Sequence, residues 1–259
     1  MCRPAASPRV CARGRTRAGR ARQIRKNVNV KHRFDTTIDG QELTLGYTDT
    51  GHGAAVVFLH ALGRSSEDWQ TTIADLSTSF RCIAVDLPGH GHSSRARRYS
   101  FDLLARSTHQ LIDHLGLESF AIVAHSLGGT TAWVLAPELG QRLWALVVED
   151  TGVPSGRIQY PDVPADPPEG VVYDWEARRQ IVDELNRPDP RWRERLVEVA
   201  TPVLVLAGRA HDVDIDATIA LLPHAEVVTI PAGHWIHQDS PQRFLAATHA
   251  FLARSQPGG

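Results

Sequence analysis

Lysine is nearly missing from this 259-residue chain: two Lys stand against 26 Arg, a bias that suggests GC-rich coding. Cysteine is scarce too. Cys2, Cys11 and Cys82 are odd in number and scattered, which excludes a disulfide framework or a cysteine metal site and favours a reducing, cytoplasmic setting. No stretch approaches the roughly 18 consecutive apolar residues of a membrane span, so no membrane partner is expected. Residues 1–33 contain no Asp or Glu, yet hold eleven Lys and Arg. That segment also lacks the apolar run of a secretory signal. It is expected to be a basic, disordered tail.

What remains is ordinary globular material with an acidic bias. Apolar residues make up 42% and charged residues 22% of the chain, enough to build a core without covalent staples. Beyond residue 33 the chain holds 17 basic and 29 acidic side chains, a net of −12. The tail could meet nucleic acid or anionic lipid through charge alone, but the body carries no nucleic-acid-binding motif. A small-molecule substrate is expected as the partner. Nothing in the pattern sets an oligomeric state.

From residue 34 short apolar runs alternate with helical periods. "QELTLGYTDT" (41–50) alternates like a half-exposed strand. "AAVVFLH" (54–60), "RCIAVDLPG" (81–89), "FAIVAHS" (120–126), "LWALVVED" (143–150), "PVLVLAG" (202–208) and "EVVTIPAG" (226–233) read as strands covered on both faces. Residues 100–116 form a helix with Ser100 as N-cap and Gly116 just past the end. Residues 240–255 form another, with Ser240 as N-cap and Pro241 in the first turn. The pattern predicts an α/β fold: a mostly parallel central sheet with helices on both faces. Residues 151–200 interrupt it with a Pro-rich loop and two helical pieces, 173–186 and 190–200. They read as a short helical cap inserted into a core made of 34–150 and 201–259. Ligands of such sheets sit at the carboxyl ends of the strands.

One strand end stands out. "AIVAHSLGGT" (121–130) ends a buried run in His125-Ser126 and opens at once onto glycines. A serine at a sharp strand-to-helix turn has its Oγ pushed clear of the sheet, and the neighbours two residues away must then be small. Ala124 and Gly128 meet that demand, with Ala124 in place of the first Gly of G-x-S-x-G.

Four segments, "FLHALGRSSEDW", "VDLPGHGHSS", "VAHSLGG" and "IPAGHWIHQDSP", together resemble the α/β-hydrolase family with a serine nucleophile, over about residues 34–255. The family's dehalogenases and epoxide hydrolases carry Asp at the elbow, so Ser126 points to acyl transfer. The resemblance implies His234, in Gly233-His234, as the base. His237 is then a neighbour, and His90, His92 and His125 are structural or shape the pocket. It implies an oxyanion hole from the N–H groups of Leu127 and Leu62. The family usually has His-Gly before the latter, where this chain has His60-Ala61.

The acid stays open. The family's G-x-x-D reads here Gly208-Arg209-Ala210-His211-Asp212, so a one-residue insertion makes Asp212 the first expectation. Asp150, at the preceding strand end, is the alternative; Asp214 and Glu149 are further candidates. All keep the order Ser, acid, His that this fold uses.

The resulting expectation is a cofactor-independent serine hydrolase, with no metal. Its substrate is a small, apolar ester, thioester, lactone or related carbonyl compound, cleaved through an acyl-enzyme. The alternative is a non-catalytic small-ligand-binding protein on the same fold. Trp175, Trp192, Tyr160 and Tyr173 either form an apolar lid or pack the cap onto the body.

Overall fold

In the computed structural model, residues 31–209 and 214–258 are described. Eight strands make one sheet: β1 (Lys31–Ile38), β2 (Gln41–Gly51), β3 (Ala55–Leu59), β4 (Arg81–Val85), β5 (Phe120–His125), β6 (Leu143–Glu149), β7 (Val203–Ala207) and β8 (Glu226–Thr229). Their spatial order is β1-β2-β4-β3-β5-β6-β7-β8. Both pairings of β2 are antiparallel and all others are parallel. The helices are α1 (Gln70–Leu76), α2 (Phe101–His114), α3 (Leu127–Leu139), α4 (Trp175–Asn186), α5 (Pro190–Leu196), α6 (Ile215–Leu221), α7 (Ile236–Asp239) and α8 (Pro241–Ser255).

The apolar runs form strands because both faces of the sheet are covered. Along β3, Val57 and Leu59 join one core with residues of α2 and α3, while Val56 and Phe58 join a second with Trp69, Ile73, Phe244 and Phe251 of the opposite face. The two-residue period of a strand divides one apolar run between two layers. Capping fixes the helix starts: Ser100 accepts from Leu103 N–H at the head of α2, and Asp174 from Glu176 N–H at the head of α4.

Several boundaries differ from expectation. Lys31, His32 and Arg33, assigned to the tail, belong to β1. That strand is short on apolar residues because it forms the sheet edge, and it is held by an Asp39-Gly40 turn in which both residues have positive φ (49° and 70°). Such a two-residue turn matches the twist of the strands it joins. β8 keeps only four residues, mostly exposed, because it lies at the other edge. The second helix of the insertion stops at Leu196 rather than 200. No helix among the described residues is long and apolar enough to cross a membrane.

Candidate active site

Ser126 sits between β5 and α3 with φ 51° and ψ −110°. A non-glycine residue held there costs on the order of 1–3 kcal/mol, so its surroundings must enforce it. Three contacts do so. Ser126 N–H donates to Thr151 Oγ1 at 2.8 Å, and that hydroxyl donates to Glu149 O at 2.8 Å. Gly128 N–H donates to His60 O at 3.0 Å. This brings α3 so close to β3 that a Cβ on Gly128 would lie 2.3 Å from Leu59 O. A Cβ on Gly129 would meet Thr151 Oγ1 at 2.7 Å. The small residues after the serine thus admit a strand on one side and a threonine on the other.

The loop after β3 brings Leu62 to the same place. Ala61 is buried and does not have positive φ; the turn's positive φ falls on Gly63, at 77°. Alanine in the family's glycine position is therefore unstrained. His60 is buried with Nδ1 2.8 Å from Ala61 O, and its Nε2 accepts from Leu87 N–H at 2.9 Å. Burial lowers its pKa, and a neutral ring is what this donor–acceptor pattern requires.

His234 follows β8, and its Nδ1 lies 2.8 Å from Oδ2 of Asp150, whose side chain is 1% exposed. The other oxygen of Asp150 accepts from Gly208 N–H at 2.8 Å. Asp150 has φ 42°, so the chain turns sharply out of β6 at this residue. Glu149, one residue earlier, is wholly buried and takes the neighbouring histidine. Its Oε1 accepts from His237 N–H at 2.8 Å, and His237 Nδ1 lies 2.9 and 2.8 Å from its two oxygens. Burial raises the Glu149 pKa, against the opposing pull of His237. Two adjacent acids at one strand end therefore hold two histidines three residues apart, His234 in the loop after β8 and His237 in α7.

The other acids go elsewhere. Asp214 caps α6 by accepting from Ala217 N–H at 3.0 Å, and its second oxygen lies 3.6 Å from Arg157. Asp212, the first expectation for the acid, lies outside the described residues.

His125 is fully buried, with its ring centroid 4.6 Å from that of His234 and 4.7 Å from Trp235. Burial, then repulsion by the charged forms of His234 and His237, pushes its pKa well below the ordinary value. His90 packs flat on Tyr173 at 5.2 Å, and burial lowers it to about 3. His92 N–H donates to Asp86 at 2.8 Å. Among the described residues, His125, Glu149 and His237 are near enough to hold a metal ion, with ligand atoms within 4.8 Å of one another. The direct 2.8 Å contact between His237 and Glu149 is closer than two ligands stand on one zinc, and places a proton between them.

Ser126, Leu127, Leu62, Asp150 and His234 all line one cavity of about 280 Å³. Its far wall comes from the insertion between β6 and β7, including Ile158, Tyr160, Ile181, Val182 and Leu185. Of the four aromatic residues weighed for a lid, only Tyr160 lines it. Trp192 packs edge-on against Phe101 at 5.5 Å, Tyr173 covers His90, and Trp175 Nε1 donates to Pro164 O at 2.8 Å. Trp192 and Tyr173 thus anchor the insertion to the body, while Trp175 ties the insertion to itself.

Thr151 and the Glu149–His237 pair were not foreseen in the sequence. Their signal was position: Thr151 adjoins Asp150, Glu149 was itself a candidate acid, and His237 lies three residues after His234.

A family model described as alpha/beta hydrolase fold matches residues 54–191. The chain is 27% identical over 251 residues to an sn-1-specific diacylglycerol lipase of Mus musculus, covering 77% of this chain and 81% of that one. It is 28% identical over 272 residues to a 2-hydroxy-6-oxononadienedioate/2-hydroxy-6-oxononatrienedioate hydrolase of Burkholderia vietnamiensis, covering 83% and 93%. Among solved structures, a thermophilic esterase from Thermogutta terrifontis superposes with a TM-score of 0.74 at 22% identity, over 87% of this chain and all of that one.

Proposed function

Because the chain belongs to the alpha/beta hydrolase fold family, we propose that it is a cofactor-independent serine hydrolase with Ser126, His234 and Asp150 as its triad. The observation that carries this reading is the 2.8 Å contact of Asp150 with His234 Nδ1, at the rim of the cavity that the strained Ser126 also lines. Asp150 replaces the expected Asp212 because the sharp turn at the end of β6 delivers its carboxylate to the His234 loop, buried and already anchored by Gly208.

The chemistry follows from these positions. Asp150 holds the Nδ1–H tautomer, which leaves Nε2, across the ring, as the base. Nε2 takes the Ser126 proton as Oγ attacks the substrate carbonyl. The N–H of Leu127, the first donor of α3 without an intrahelical partner, and that of Leu62 receive the developing oxyanion. Each such donor is worth about 10²–10³ in kcat. The imidazolium then protonates the leaving group, and water releases the acyl chain by the reverse route. The cavity's aliphatic lining favours an apolar acyl or alcohol portion. The relative named as a lipase puts ester cleavage first.

Ser126→Ala should abolish hydrolysis of short 4-nitrophenyl esters while the melting temperature holds. Undiminished turnover in that variant would reject the assignment.

A further inference from the structure

The part of the cavity wall that α4 supplies is aliphatic except at one residue. Arg178, Ile181, Val182 and Leu185 all line it from α4. Their spacing of i, i+3, i+4 and i+7 places them on one helix face. That face therefore carries an arginine at one end and three aliphatic side chains over the next two turns.

Arg178, like Arg193, differs from the other arginines of the insertion in having no acid within salt-bridge distance among the described residues. Arg157, Arg179, Arg187, Arg191 and Arg195 of the insertion pair with Asp214, Glu176, Asp183, Asp189 and Glu138. Among the described residues no carboxylate lies within salt-bridge distance of Arg178. Its guanidinium instead lies over the ring of Trp175, 5.5 Å from the centroid, a contact that orients a cation without neutralising it. The two acids on the cavity wall are already engaged, Asp150 with His234 and Asp214 with Arg157. Arg178 is also the fourth residue of α4. A cation in the first turn opposes the helix dipole, whose positive end is there, so the position adds to one local field that attracts anions. A half-buried charge is costly unless something pairs with it, and no carboxylate among the described residues does.

We propose that Arg178 makes this cavity a site for a substrate that ends in a carboxylate, held by the guanidinium while its carbon chain lies along Ile181, Val182 and Leu185 towards Ser126. The proposal rests on reading this cavity as the substrate site of the hydrolase. A planar guanidinium suits a carboxylate because it can donate two parallel hydrogen bonds. In a body with a net charge of −12 beyond residue 33, an anionic substrate needs such a local positive centre.

The test compares 4-nitrophenyl hydrogen glutarate with the 4-nitrophenyl ester of monomethyl glutarate, which carries the same chain with its charge masked. The wild type should favour the acid by at least about tenfold in kcat/KM. Arg178→Gln should remove that preference, and Arg178→Lys should restore part of it. A wild-type ratio of one or less, or a ratio unchanged in Arg178→Gln, overturns the proposal and leaves the hydrolase assignment standing. Calorimetric titration of the Ser126→Ala protein decides the point without turnover. There, 4-phenylbutyrate should bind at least about tenfold more tightly than 4-phenylbutyramide, and equal affinities overturn the proposal. Failure of the wild type to cleave either ester counts against the hydrolase assignment alone.

Discussion

Glu149 and Asp150 are adjacent, and in a continuing strand their side chains would point to opposite faces. The positive φ of Asp150 breaks that alternation. It lets one acid anchor His237 within the core while the next reaches His234 at the rim. The assignment predicts that Asp150→Asn lowers kcat by about 10⁴, the size of effect seen when a triad histidine loses its orienting carboxylate. Asparagine tolerates positive φ, so the fold should survive. Asp212→Asn should stay within a few-fold of wild type. Steady-state kinetics on the two variants separate the acids, and the reverse pattern would return the role to Asp212. The proposed acid could not be read from spacing because a one-residue insertion and a change of strand both preserve the order along the chain. The sharp turn at Ser126 was legible because an elbow restricts residue size at fixed offsets. The pairing of Glu149 with His237 was not: it depends on a residue of α7 that lies 88 residues away in sequence.

At the scale of elements, the elbow is a meeting of three: β3, β5 and α3. Gly128 is where α3 touches β3, and the atom in the way of a side chain is the backbone oxygen of Leu59, which cannot rotate aside. Gly128→Ala should therefore destabilise the protein by roughly 1–3 kcal/mol, in the range of overpacked cores. It should also lower kcat, because the N–H of Leu127 moves with the helix. Denaturant unfolding and ester kinetics check both effects; a neutral substitution would mean that the helix can slide. The central strands were legible as apolar runs because helices cover both sides of them. The edges were less so. β1, "KHRFDTTI", has one solvated face and merges in composition with the basic segment before it, and β8 is mostly exposed. Edge strands take their place from a neighbour's unpaired backbone, a signal that does not lie in their own side chains.

For the molecule as a whole, three buried histidines set the response to acid. His60, His90 and His125 all have pKa values lowered mainly by burial. Unfolded, they would titrate near 6.5. Below that pH the unfolded chain takes up protons that the native state refuses, so stability is full above about pH 6.5 and falls as the pH drops. The loss can reach about 1.4 kcal/mol per pH unit for each histidine. Glu149, whose pKa is raised by burial, acts in the opposite sense from its unfolded value near 4.3 upwards, and offsets part of this loss. The urea midpoint should thus be clearly lower at pH 5.5 than at pH 7.5. A midpoint that stays level or rises on acidification would show that these rings are protonated in the native state.

The central claim is that strain at the elbow, the Asp150-held imidazole and the cavity act on a single hydroxyl. A fluorophosphonate probe tests this most directly, because it forms a stable bond only with a serine already activated for attack. Intact-mass and peptide analysis should find one adduct on the folded wild-type protein, at Ser126, with labelling lost in Ser126→Ala and strongly slowed in His234→Ala. A folded protein that stays unlabelled, or takes the probe at another residue, would contradict the account.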